Sequence, residues 1–233
     1  MQGNPAPTAA DFDAAEARLR ASVDSDLPIL AVVRQATDVL SWVLCQSDLP
    51  KFDEDPVPAS HLVATALLFL GVMAHRATRA AMALAATGYE PETLGLKRLL
   101  TEAHSRMKAI LEDDSGEHAR QWLVGPAPST PHRLVAKHAD REMFDLYSRS
   151  AHADAEGIKR WLLQPSASNE WDVLGAPDRW PGFISTVMVE FAFEVRDIAV
   201  GLASIRSLTP PGLPALDNAI DAAENLYLVA DDK

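Results

Sequence analysis

PETLGLKRLLTEAHSRMKAIL, residues 91–111, is the stretch on which the reading of the fold turns. Leu96, Leu99, Leu100, Ala103, Met107, Ile110 and Leu111 recur at intervals of three and four, which gathers them on one face of an α-helix. Pro91 suits a helix's first turn, and Asp114-Ser115-Gly116 ends it. Upstream, helices are expected after Asp11, from Pro28 to about Gln46, and from Ala59 to Thr87. The acidic, proline-rich loop Asp48–Pro58 separates the last two. Downstream, shorter helices are expected at 117–123, 132–139, 140–149 and 153–163. Residues 164–181, rich in Pro, Ser, Asn and Trp, read as a surface connection. A helix over 182–207 is apolar nearly all round and should be central. Pro210, Pro211 and Pro214 set it apart from an amphipathic helix to about Val229. No strand-like alternation and no internal repeat interrupts this pattern. The expectation is an all-α, multi-helix bundle with two long central helices and a C-terminal amphipathic helix. It forms one domain over 1–233: an N-terminal helical pair (1–47), a core (59–163), the connection (164–181), and the central and C-terminal helices (182–230).

Composition narrows the function classes. The net charge of −12 repels nucleic acid at long range. It is unevenly spread, because residues 90–160 carry twelve acids against eleven bases and leave room for a local basic site. The single cysteine, Cys45, permits no intrachain disulfide and is expected as a buried, inert thiol in a reducing compartment. The N-terminus lacks the basic segment and apolar run of an export signal. The most apolar stretch, Leu62 to Ala74, is 13 residues long and too short to span a bilayer. A cytoplasmic protein without membrane attachment is expected.

Two helices carry polar stripes on apolar surfaces. His61, Thr65, Arg76 and Arg79 fall on one, and Glu190, Glu194 and Asp197 follow an i, i+4, i+7 pattern on the other. Buried charges require partners, so Arg76 and Arg79 are expected to face those acids, either as a structural network or as the wall of a pocket. Arg98 and Glu102, one turn apart, form an expected ion pair on the polar side of their helix. No phosphate loop, nucleophile elbow or zinc motif is present, and neither metal nor cofactor is expected.

The densest chemistry lies between His132 and Arg160, in Arg133, Lys137, His138, Tyr147, Ser148, Arg149 and His152. Arginine and histidine together suit phosphodiester chemistry. The cation stabilises charge on the phosphorane while imidazole moves a proton.

The run RAAMALAATGYEPETLGLKRLLTEA (79–103), with Arg98-x-x-x-Glu102, followed by LYSRSAHAD (146–154), resembles a group of all-helical, mostly actinobacterial proteins. That group is similar to the HEPN (higher eukaryotes and prokaryotes nucleotide-binding) superfamily, and the resemblance covers about residues 70–165. It implies a dimerising helical bundle, in many members a metal-independent ribonuclease of defence systems. The family's Arg-then-His motif falls on Arg133 and His138 by spacing, with apolar Leu134 where active members carry a polar residue. Arg149 and His152 fall at the more family-like position but closer together than in the motif.

Three readings follow. One is an RNA- or nucleotide-directed protein using Arg149, His152, Arg133 and His138, with Tyr147 and Ser148 nearby. Another is a non-catalytic interaction protein, a homodimer or a scaffold for a protein partner. The third is a small-molecule binder with a charged core pocket around Arg76, Arg79 and Glu190; Glu194, Arg98 and Glu102 are further binding candidates.

Overall fold

The computed structural model describes residues 28–48, 56–86, 90–125, 131–139, 141–151 and 181–227. The helices expected after Asp11 and at 153–163, His152 and all of the expected 164–181 connection but Pro181, which opens a helix, lie outside these residues. Among the described residues the chain forms eight helices and no strand. They are α1 (Pro28–Cys45), α2 (Ala59–Ala85), α3 (Glu90–Leu111), α4 (Glu117–Val124), α5 (Pro131–His138), α6 (Arg141–Ala151), α7 (Pro181–Ile205) and α8 (Leu213–Tyr227). The protein is an all-α multi-helix bundle.

The two longest helices, α2 and α7, are central. Helix α7 packs against α1, α2, α3 and α8, while α3 packs against α2, α4, α5, α6 and α7. The core is continuous: Ile29, Val33, Leu40 and Val43 of α1 share one cluster with Leu67 and Leu70 of α2, Leu94 and Leu100 of α3, and Val187, Phe191, Val195 and Ile198 of α7. Burying such side chains is the main term favouring the fold, at roughly 1.5–3 kcal/mol each.

Close approach depends on two glycines. A methyl group at Gly71 of α2 would lie 2.6 Å from Leu202 Cδ1 and 3.1 Å from Leu44 Cδ2, where α1, α2 and α7 meet. One at Gly201 of α7 would lie 2.7 Å from Met107 Sδ of α3. The turn into α4 is held by Asp113, whose carboxylate accepts the His118 N–H at 2.7 Å and the Ser115 N–H at 3.0 Å.

Three expectations are corrected. Cys45 is exposed, because the buried face of α1 ends at Val43 and Cys45 falls off it. Leu99 and Leu111 at the edge of the expected α3 face are each 37% exposed, whereas Leu100, Ala103, Met107 and Ile110 of that face are buried. The apolar content of α2 extends beyond 62–74. By length and composition α1 and α2 would each suffice to cross a membrane, although 44% and 56% of those windows are buried in the bundle.

Candidate functional site

Helix α3 is packed on several sides, and a polar stripe beside its apolar face also points inward. Lys97, Thr101, His104 and Lys108 stand at i, i+4, i+7 and i+11, and the first three are buried. They meet the acidic stripe of α7 in the same order along both helices. Lys97, 1% exposed, places Nζ 2.8 Å from Glu194 Oε2 and 3.2 Å from Glu190 Oε2. It also donates to Thr101 Oγ1 at 3.1 Å, and Thr101 in turn donates to Glu194 Oε1 at 2.9 Å. His104 Nε2 lies 3.1 Å from Asp197 Oδ2, with Nδ1 3.9 Å from Glu194 Oε1. Lys108 ends the series 3.8 Å from Asp197.

Neighbouring helices complete the network. Tyr147 of α6, 1% exposed, donates its hydroxyl to Glu190 Oε2 at 2.7 Å. The Lys97 ammonium lies 5.5 Å from the Tyr147 ring centroid and 5.9 Å from that of Phe191, which adds cation–π attraction at a desolvated site. Arg196 joins Asp197 to Asp217 of α8, with bonds of 2.9 and 2.8 Å. Burial alone would raise the Asp197 carboxyl, but hydrogen bonds from His104 and Arg196 hold it below the usual carboxylate range.

Above this network opens a cavity of about 230 Å³. Its polar wall consists of Lys97, Thr101, His104, Lys108, His138, Tyr147, Glu190, Glu194 and Glu224, and its apolar wall of Ala139, Met143, Val189 and Phe193. His138 closes one side. Its side chain is 5% exposed, its Nδ1 lies 3.7 Å from Glu112 Oε1, and its buried Nε2 has no hydrogen-bond partner among the described residues. Burial pushes the His138 imidazole below its ordinary value against the upward pull of Glu112, so the ring is neutral near pH 7.

Of the residues singled out in the sequence, the fold thus brings His138, Tyr147, Glu190 and Glu194 to one cavity. Arg133 lies on α5 and Arg149 on α6, with side chains outside the described set, as is all of His152. Ser148 is half-buried, its hydroxyl without a partner among the described residues. Arg98 and Glu102 form the expected pair at 3.1 Å, with the guanidinium 5.7 Å from the Phe144 ring centroid.

The expected pairing of Arg76 and Arg79 with the acids of α7 is overturned. Both arginines are exposed, because the buried face of α2 runs through Ala74, Ala77, Thr78 and Ala81 and leaves positions 76 and 79 outside it. Lys97 takes their place. The missed residues, Lys97, Thr101 and His104, had a legible signal: their spacing repeats that of Glu190, Glu194 and Asp197. No group of three or more His, Cys, Asp or Glu that could hold a metal occurs among the described residues.

No protein-family model matches the chain, and no curated protein and no solved structure matches it.

Proposed function

We propose that this protein binds a small molecule in the charged cavity of its bundle core. One observation carries the reading: a buried ammonium held by two carboxylates, Lys97 between Glu190 and Glu194, forms the floor of an open space of about 230 Å³. A buried ion pair is a poor way to stabilise a core, since well-packed apolar residues of similar volume do at least as well. Polar groups converging on a concave, partly apolar space are the usual makeup of a ligand site. At roughly 30 Å³ per water-sized group, the space suits a ligand of about eight non-hydrogen atoms.

The test is a panel of small cations, anions and neutral compounds screened for a rise in unfolding midpoint. A ligand that binds only the native state stabilises it by mass action. At least one compound is expected to raise the midpoint of the wild type and not that of Phe193→Trp, which fills the cavity from its partly exposed wall. A panel without such a compound overturns the reading.

A second reading, metal-independent RNA cleavage, is favoured by the placement of His138 on this cavity, five residues after Arg133. Lys108 on the rim would attract a phosphodiester, but the three glutamates on the wall would repel it. Cleavage of a labelled RNA pool in the absence of metal, abolished by His138→Ala, would support this reading. No cleavage by the wild type would remove it.

A further inference from the structure

Charge constrains the occupant of the cavity beyond its size, a consideration that rests on reading the cavity as a ligand site. Lys97 and Lys108 supply two positive charges to the wall, and Glu190, Glu194 and Glu224 supply three negative ones. Lys97 is fully engaged, its three donors taken by Glu190, Glu194 and Thr101, while Lys108 on the rim lies 3.8 Å from Asp197. The carboxylates keep spare capacity. The Glu190 side chain is 32% exposed, and Glu224 has no ion-pair partner among the described residues. A carboxylate has about four acceptor positions, so the Lys97 and Tyr147 bonds to Glu190 leave room for further donors.

The remaining wall, Met143, Val189 and Phe193, is apolar and suits a hydrocarbon chain.

We propose that the cavity takes a small organic primary amine in its ammonium form. Glu190 and Glu224 supply the counter-charge, and Met143, Val189 and Phe193 contact the carbon skeleton. An ammonium carries three donors and no acceptor, which matches the open acceptor positions of Glu190 and Glu224.

Hexylamine, 1-hexanol and hexanoate, equal in chain length and different in charge, are the probes. Binding is followed through the methyl resonance of Met143, assigned by Met143→Leu, in protein with labelled methionines. Hexylamine is expected to shift that resonance saturably and to bind at least about tenfold more tightly than hexanol, the difference a charge-assisted hydrogen bond makes. Hexanoate should bind weakest. Glu224→Gln or Glu190→Gln should weaken hexylamine by about tenfold and leave hexanol unchanged. Either selective loss supports the proposal, and the two variants guard against one of them failing to fold. Hexanol or hexanoate binding as tightly as hexylamine overturns the amine and leaves the ligand-site reading standing. Hexylamine affinity unaltered in both variants overturns it too. A Met143 methyl that responds to none of the three probes overturns the amine and the ligand site together.

Discussion

Helix α7 is packed in two different ways. Against α1 it forms an apolar seam, in which Ile29, Val33, Leu40 and Val43 share a cluster with Val187, Phe191, Val195 and Ile198. Against α3 it forms a charged seam, with Lys97, Thr101, His104 and Lys108 set along Glu190, Glu194 and Asp197. The first stabilises through area removed from water and depends mainly on volume. The second must offset the desolvation of every charge it holds, and does so only while every partner is present. Among the described residues the apolar seam encloses no charged group, whereas the charged seam lies under the cavity. The same helix thus provides both the scaffold and the chemistry.

Breaking the charged seam from one side should have the largest effect. Lys97→Met leaves two carboxylates facing each other, one of them 7% exposed, and is expected to lower unfolding free energy by about 3–5 kcal/mol in urea titrations. Adding Glu190→Gln and Glu194→Gln should recover most of that loss, since the stranded charges are then gone. Leu40→Ala in the apolar seam should cost about 2–5 kcal/mol, and no second substitution of a neighbour's charge should restore it. If the Lys97 triple variant is no more stable than Lys97→Met alone, the two seams do not differ as argued.

Gly201→Ala is a smaller intrusion. Its new methyl meets Met107 Sδ, and yielding by that flexible side chain should limit the loss to about 1–3 kcal/mol. Replacing Met107 with alanine in the same chain should make the Gly201→Ala change nearly neutral, as a double-mutant cycle would show.

Acid should act most gently. Burial holds His138 beside the cavity, and burial with Arg79 holds His75 on the α2 side, both below the ordinary 6.5. The unfolded chain therefore takes up protons first as pH falls. Stability should be full above about pH 6.5 and decline below it, and Asp197 should add a further loss once the pH drops beneath the ordinary carboxylate value of 3.8. His75→Gln and His138→Gln, measured by urea midpoint against pH, should each remove one part of the first decline.

The helices were legible because their boundaries are local. Pro28, Pro91 and Asp114-Ser115-Gly116 mark ends by backbone geometry alone, and the α3 periodicity needs no partner to be read. The acidic stripe of α7 was legible for the same reason. Its counterpart was not, because the choice between Arg76 of α2 and Lys97 of α3 depends on how two helices far apart in sequence rotate against α7. Leucines at 96, 99 and 111 drew the apparent face of α3 away from Lys97, although position 97 stands one turn before Thr101 in the sequence. His138 was noticed for its distance from Arg133, yet its present interest comes from Glu112 and the cavity, neither of which its own segment reveals.

Matched polar stripes act as a ruler. An apolar seam loses little when one helix slides along another by a turn, because leucine meets leucine again. Sliding α3 one turn along α7 would set Thr93 opposite Glu190 and carry Met107 away from the gap at Gly201. One carboxylate would lose its cation, and the smaller Ala103 would stand where Met107 now fills the gap at Gly201. The charged seam thus disfavours the slipped alignment, a role in which polar core groups are best attested. A chain with Lys97, Glu190 and Glu194 all replaced by apolar residues should keep its helical content but show broadened or doubled amide resonances along α3, the mark of a helix that no longer knows where to stop.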